Sequence, residues 1–245
     1  MLVRNLESLV DKHRVDFVVA NAENSAGGFG VTPEVADEMF DLGIHCLTSG
    51  NHIWDKKEAF DLIARQPALL RPLNYAPGCP GHGVFVGRTA AGQKVAVLNV
   101  MGRVFMPPVD DPFRAMDEAL ASLDPSIRII IVDVHAEATS EKIAMGWHLD
   151  GRVSMVVGTH THVPTADGRI LPGGTAYQTD VGMTGPYDSV IGVVTEDILR
   201  RFRTGLPVRF RTAKKGPELH AALVTVDEQT GRASAIERLH IVGED

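Results

Sequence analysis

Residues able to hold a metal ion stand at the ends of four apolar runs in this chain. Glu23 and Asn24 follow residues 15–20, Asn51 and His52 follow 44–48, His135 ends 127–134, and His160 with His162 follows 153–157. Imidazole nitrogens combined with carboxylate and amide oxygens suit iron, manganese, zinc or cobalt, whereas an all-oxygen set suits magnesium or calcium. No cysteine belongs to the set, which disfavours a structural thiolate zinc site. A carboxylate, amides and three histidines are enough for two adjacent ions bridged by Glu23. Such a pair can hold a hydroxide and clamp a phosphate for in-line attack.

Each member alone has a plainer reading. A lone histidine is more often a surface or satisfied core residue, and that is the reading for His13, His45, His82, His148, His220 and His240. His135 is balanced between ligand and core residue until the others are counted. His160-Thr161-His162 reads also as a strand end showing alternate faces, and Asn51 after Gly50 as a turn residue. The run Gly27-Gly28-Phe29-Gly30 lacks the Lys-Ser/Thr of a Walker loop; it reads as a turn that lets backbone approach the site. Asp133, two residues before His135, is either its partner or a solvated strand end. Arg103 either meets a substrate phosphate or pairs with Asp110 or Asp111. Asp180 and Tyr187 lie in a glycine-rich loop that could line a pocket. Residues 101–108, if their apolar side chains are exposed, suit a subunit contact in a homo-oligomer.

The elements that must position these residues alternate. Apolar spacing predicts an opening helix from residue 2, then a strand at 15–20. Thr32-Pro33 starts a helix that Gly43 ends. A strand at 44–48, a helix at 55–65, a proline- and glycine-rich loop at 67–87, and a strand at 95–100 follow. Beyond them come a helix at 115–123, a β-branched strand at 127–134, a helix at 140–148 and a strand at 153–157. A short strand near 175–179, a helix near 197–204 and a hairpin at 219–226 and 233–241 complete the chain. Strand–helix alternation implies an α/β domain over residues 1–245, with a mainly parallel sheet. In such sheets ligands bind beyond the carboxyl ends of the strands, where all four clusters lie.

Composition narrows the function classes. With 245 residues, 44% hydrophobic and 22% charged, the chain is an ordinary globular one and not disordered or fibrous. The 31 acidic residues outnumber 24 basic ones, for a net charge of −7, which opposes a general nucleic-acid-coating role. It does not oppose a phosphate substrate, because bound cations supply positive charge locally. No run approaches the roughly 20 apolar residues of a membrane span. Residues 1–7 lack a signal-peptide plan, so a cytoplasmic address is the default. Cys46 and Cys79 read as reduced, small apolar side chains.

The motifs also carry a resemblance. Gly50-Asn51-His52 and Gly158-Thr159-His160-Thr161-His162, with His135 between them, resemble those of the calcineurin-like metallophosphoesterases. The longer phrases at 21–28, 101–108, 135–142 and 179–186 resemble the YmdB-like group of bacterial phosphodiesterases, and the likeness runs from about residue 15 to the end. The resemblance implies a four-layer α/β/β/α sandwich carrying two iron or manganese ions and hydrolysing 2′,3′- or 3′,5′-cyclic nucleotides through a metal-bridging hydroxide. Carried over by position, Glu23 bridges the ions, Asn24 and His162 serve the first, and Asn51, His135 and His160 complete the second. His52 then donates a proton to the leaving oxygen, a task that suits imidazole.

The family's first strand ends in a Gly-Asp-Val/Ile-Val-Gly-like phrase whose aspartate ligates the first ion. Here Met1 falls where the following helix would begin, with Asp11 on the helix and Asp16 at a strand start. The expectation is a sandwich with that first strand missing from these 245 residues, from a start internal to a longer reading frame. The second ion would then bind tightly and the first weakly, with reduced turnover. Two other functions share these motifs: a phosphomonoesterase or 5′-nucleotidase on the same scaffold, and a non-catalytic nucleotide- or RNA-binding regulator.

Overall fold

Two neighbouring strands, β4 (Lys94–Met101) and β5 (Ile129–His135), set the plan of the molecule. They pair in parallel register, Val97 beside Ile131 and Asn99 beside Asp133. Side chains alternate between faces along a strand, and here both faces are covered. One face carries Ala96, Leu98 and Val100 with Ile130, Val132 and Val134. These pack on Met116 and Phe113 of helix α4 (Pro112–Ser122) and on Met145 and Leu149 of α5 (Thr139–Leu149). The other face carries Val97 and Ile131, which meet Cys46 and Val19 of a second sheet. The computed structural model describes residues 1–244.

That second sheet is the parallel pair β1 (Val19–Asn21) and β2 (Cys46–Thr48). Its far side packs Leu47 and Ala20 against α1 (Leu2–His13), α2 (Pro33–Asp41) and α3 (Glu58–Arg65), through Leu6, Met39, Leu62 and Ile63. Helices, sheet, sheet and helices therefore stack as the expected four-layer α/β/β/α sandwich. The larger sheet has six strands in the order β3-β4-β5-β6-β8-β7. Its members β6 (Met155–Thr159) and β8 (Ala176–Gln178) run parallel to β5, and the edges β3 (Val84–Arg88) and β7 (Arg169–Ile170) are antiparallel. A third sheet joins β9 (Gly185–Pro186), β10 (Pro217–Val226) and β11 (Ala233–Val242). Helix α6 (Thr195–Thr204) precedes its hairpin.

Local chemistry explains most boundaries. Thr32 caps α2 through its hydroxyl and Pro33 occupies the first turn. Asp111 caps α4, accepting from Phe113 N at 2.9 Å and Arg114 N at 3.3 Å; such a cap stabilises by about 1 kcal/mol. The 67–87 segment differs from expectation. Its end becomes β3 because Val84–Arg88 pairs with Leu98–Lys94, a tertiary partner that local composition cannot reveal. The two-residue strands β7 and β9 are likewise made by pairing alone. No helix among the described residues is long and apolar enough to cross a membrane. Cys46 and Cys79 are free, and burial pushes the Cys46 thiol up, with Asp133 adding to the shift.

Candidate metal centre

The seam between the two sheets is apolar at one end and polar at the other. On the inward face of β5, Ile131 is followed by Asp133 and then His135, both buried. Asp133 is not a solvated strand end. It accepts from Thr48 Oγ1 of β2 at 2.5 Å, Asn21 Nδ2 of β1 at 3.1 Å and Thr159 Oγ1 of β6 at 2.7 Å. One carboxylate thus ties four strands across the seam. Burial raises its pKa above the ordinary carboxylate value despite these donors.

Thr159 passes the effect on to His135. Its single hydroxyl proton goes to Asp133, so it must accept from His135 Nδ1–H, 2.9 Å away. The Nε2 of His135 is then left with a lone pair facing the cavity. Around that nitrogen lie Asn51 Oδ1 at 3.0 Å, Glu23 Oε2 at 3.1 Å and His160 Nδ1 at 3.1 Å. His160 is held by its other nitrogen, which lies 3.2 Å from Glu137 Oε2. Four lone pairs therefore converge with no proton committed between them. In a buried site that arrangement is repulsive unless a cation sits among them. Glu23, His135 and His160 form a metal-capable trio whose ligand atoms lie within 4.8 Å of one another.

Gly50 makes room for this cluster, since a Cβ there would overlap His135 Nε2. Burial alone would raise the Glu23 carboxyl. Positive charge on His135 when a proton takes the place of the cation, and the His52 backbone N–H 2.8 Å from Glu23 Oε1, outweigh it and hold Glu23 below the usual range. His160 is pushed the other way for a base. Burial first, then the adjacent His135, lowers its pKa from 6.5 to about 4, so the ring is a neutral donor near pH 7.

Asn24 and His162 stand apart from that trio and pair with each other, Asn24 Nδ2 lying 3.1 Å from His162 Nε2. His162 Nδ1–H donates to Ile191 O at 2.9 Å, which leaves a lone pair on Nε2. The Oδ1 of Asn24 is buried without a hydrogen-bond partner. The His162 lone pair takes an Asn24 Nδ2 proton here; turning the amide would bring the orphaned Oδ1 alongside it, and the pair, next in the chain to Glu23, would then fit a second cation position. The residues of both positions therefore fit a pair of metal ions.

His52 is placed differently from the candidate ligands. Its Nδ1 donates to Asp55 Oδ2 at 2.8 Å, and Phe29 meets its ring edge-on at 5.3 Å. The imidazole is one-third exposed, leaving Nε2 available for proton exchange. The run Gly27–Gly30 turns back with positive φ at Gly27, Gly28 and Gly30, as its composition suggested.

The loop bearing His160 and His162 is strained, with φ of 98° and 64° at these non-glycine residues. Asp180 holds it, accepting from Thr161 N at 3.1 Å and Thr161 Oγ1 at 2.7 Å. Asp180 in turn pairs with Lys142 of α5 at 2.9 Å, both side chains only 1% exposed. Sequence reasoning places Asp180 in a loop and does not single out Lys142, Glu137, Thr159 or Asp55 as supports. Glu137 and Asp55 lie two and three residues beyond His135 and His52, a spacing that is the one available signal. Arg103 faces Asp111 at 3.5 Å on the surface, and the single Tyr187 hydroxyl proton is shared between Met183 O at 3.3 Å and His162 O at 3.4 Å. In the 101–108 segment Phe105 is 91% exposed.

The chain matches the model of the YmdB-like protein family over residues 1–239. A 2′,3′-cyclic-nucleotide 2′-phosphodiesterase of Bacillus subtilis (strain 168) is 48% identical over 241 residues, 98% of this chain and 91% of that protein. A crystal structure of a hypothetical protein from Thermus thermophilus superposes with a TM-score of 0.93 at 44% identity, covering 99% of this chain and 93% of that one. A structure titled as a novel phosphatase from Mycoplasma pneumoniae gives a TM-score of 0.93 at 37% identity, covering 100% and 88%.

Proposed function

This chain belongs to the YmdB-like protein family, and on that premise we propose that it is a two-metal phosphodiesterase acting on 2′,3′-cyclic nucleotides. The observation that carries the reading is the convergence of Glu23, Asn51, His135 and His160 lone pairs around one point, with the orphaned Asn24 Oδ1 on the residue next in the chain to Glu23. Glu23, Asn51, His135 and His160 would hold one ion, and Asn24 and His162, together with Glu23, the other. The mixed nitrogen and oxygen donors suit iron or manganese. Bound there, the ions supply a nucleophile formed from water at neutral pH and positive charge against the phosphoryl oxygens.

The chain's own groups do the rest. Asp133 and Thr159 fix the His135 tautomer, and Glu137 fixes that of His160, so each ring keeps a lone pair aimed at the cavity. His52, anchored by Asp55, gives the Nε2 proton to the 2′ oxygen as the P–O2′ bond breaks and water's oxygen joins phosphorus. It regains a proton from solvent on its exposed side. General acid help of this kind is worth roughly 10²–10⁴-fold.

The test is hydrolysis by protein loaded with Mn²⁺ or Fe²⁺, using 2′,3′-cyclic AMP, 3′,5′-cyclic AMP, bis-p-nitrophenyl phosphate and p-nitrophenyl phosphate. Release of the 3′-nucleotide from the 2′,3′ ring is the expected result. Cleavage of the monoester alone would make the chain a phosphomonoesterase, and nucleotide binding with no product would make it a regulator.

A further inference from the structure

A second cluster of metal-capable side chains lies away from the seam, on the β10–β11 hairpin. Two-residue alternation puts Glu218 and His220 on one face of β10, and the antiparallel register sets His220 directly opposite His240. Glu218 Oε2 lies 3.1 Å from His220 Nε2 and 2.6 Å from His240 Nε2. The imidazoles stack with centroids 4.3 Å apart and planes inclined by 17°; both Nε2 atoms face the Glu218 carboxylate, and the rings must splay for the two lone pairs to meet on one ion. All three ligand atoms fall within 4.8 Å of one another.

A zinc ion with ligand bonds near 2.0–2.1 Å has tetrahedral edges of about 3.3 Å. The two carboxylate–imidazole edges, 3.1 and 2.6 Å, need to open by about 0.2 and about 0.7 Å to match that length. His220 is mostly buried, with the Tyr187 ring against it at 4.9 Å, whereas His240 is half exposed. One side of the cluster is walled and the other faces water, which leaves a position for a solvent or added ligand. We propose that Glu218, His220 and His240 form a third cation site, taking a borderline transition metal such as zinc, cobalt or nickel. Two imidazoles and one carboxylate select such ions over magnesium and calcium. Tyr187 links the site to the seam, since its ring covers His220 and its hydroxyl proton is shared between the carbonyls of Met183 and His162. An ion there would brace the sheet that carries β9 and, through Tyr187, the His162 loop.

The test separates this site from the other centre. A chain carrying Glu23→Gln, His160→Ala and His162→Ala is stripped with chelator, dialysed against micromolar Zn²⁺ or Co²⁺, and analysed for metal and for cobalt absorbance in the visible. It should retain one equivalent, and adding His240→Ala should abolish it. As a second arm, Glu218→Gln in the otherwise unaltered chain should lower total metal by one equivalent while hydrolysis persists. Failure of the triply substituted chain to retain metal, or retention unaffected by His240→Ala, would overturn the proposal. So would an unchanged metal count in Glu218→Gln.

Discussion

Replacing Lys142 by methionine keeps the length of the side chain and removes its charge. Asp180 would then keep its donors, Thr161 N, Thr161 Oγ1 and Gly182 N, but lose the cation it pairs with in a place where both partners are 1% exposed. Breaking a buried pair from one side costs about 3–5 kcal/mol, because the survivor is an uncompensated charge. For a chain of this size about 1 kcal/mol moves Tm by roughly 2–4 °C, so the midpoint should fall by roughly 6–20 °C. Lys142 Nζ also donates to Thr159 O at 3.2 Å, so the loss lands on the strand end that feeds the His160–His162 loop. Metal affinity should weaken by roughly 10–100-fold, the usual scale for groups that orient ligands. Urea denaturation of metal-free protein gives the first quantity and a chelator competition the second. Lys142→Met with Asp180→Asn removes both charges while sparing the acceptor for Thr161, and should recover at least half of the stability loss. A cost under about 1 kcal/mol for Lys142→Met, or a double variant no better than either single one, would refute the reasoning.

Three shorter predictions bear on the centre. His52→Ala should lower turnover by roughly 10²–10⁴-fold with the metal content intact; loss of metal would make His52 a ligand instead. Thr159→Val keeps the shape but removes the link between Asp133 and His135, so metal affinity should drop by roughly 10–100-fold, and unchanged affinity would discard the tautomer argument. His160 titrates near 6.5 when unfolded and near 4 when folded. The unfolded chain therefore binds more protons over that window, and metal-free protein should lose stability as pH falls from 6.5 to 4, by up to about 3 kcal/mol. Urea midpoints against pH should be flatter in His160→Asn; parallel curves would contradict the assignment.

Much of the candidate centre is legible in the sequence, because its proposed ligands stand where apolar runs end. Glu23, Asn51, His135 and His160 meet because the parallel pair β1 and β2 and the parallel pair β5 and β6 end at one rim, His135 closing its strand and the other three standing one to three residues beyond theirs. Their supports are harder to find. Lys142 and Asp180 are 38 residues apart, and nothing in a helix pattern distinguishes a buried lysine from a solvated one. Asp133 looks no different from an exposed acid until Thr48 and Asn21 come to it from another sheet. His220 and His240 read as bland single histidines because the register that opposes them is a property of the hairpin, not of either strand.

The alternation along β5 has a consequence for how this protein can change over time. Its even-numbered side chains fill the oil beneath, and its odd-numbered ones carry the seam from Ile131 through Asp133 to His135. Inserting or deleting one residue there would exchange the two sets at a stroke, sinking carboxylate and imidazole into hydrocarbon and lifting valines into the polar rim. Drift in this segment is therefore confined to swaps in place, and any gain or loss of length must be absorbed in the loops on either side.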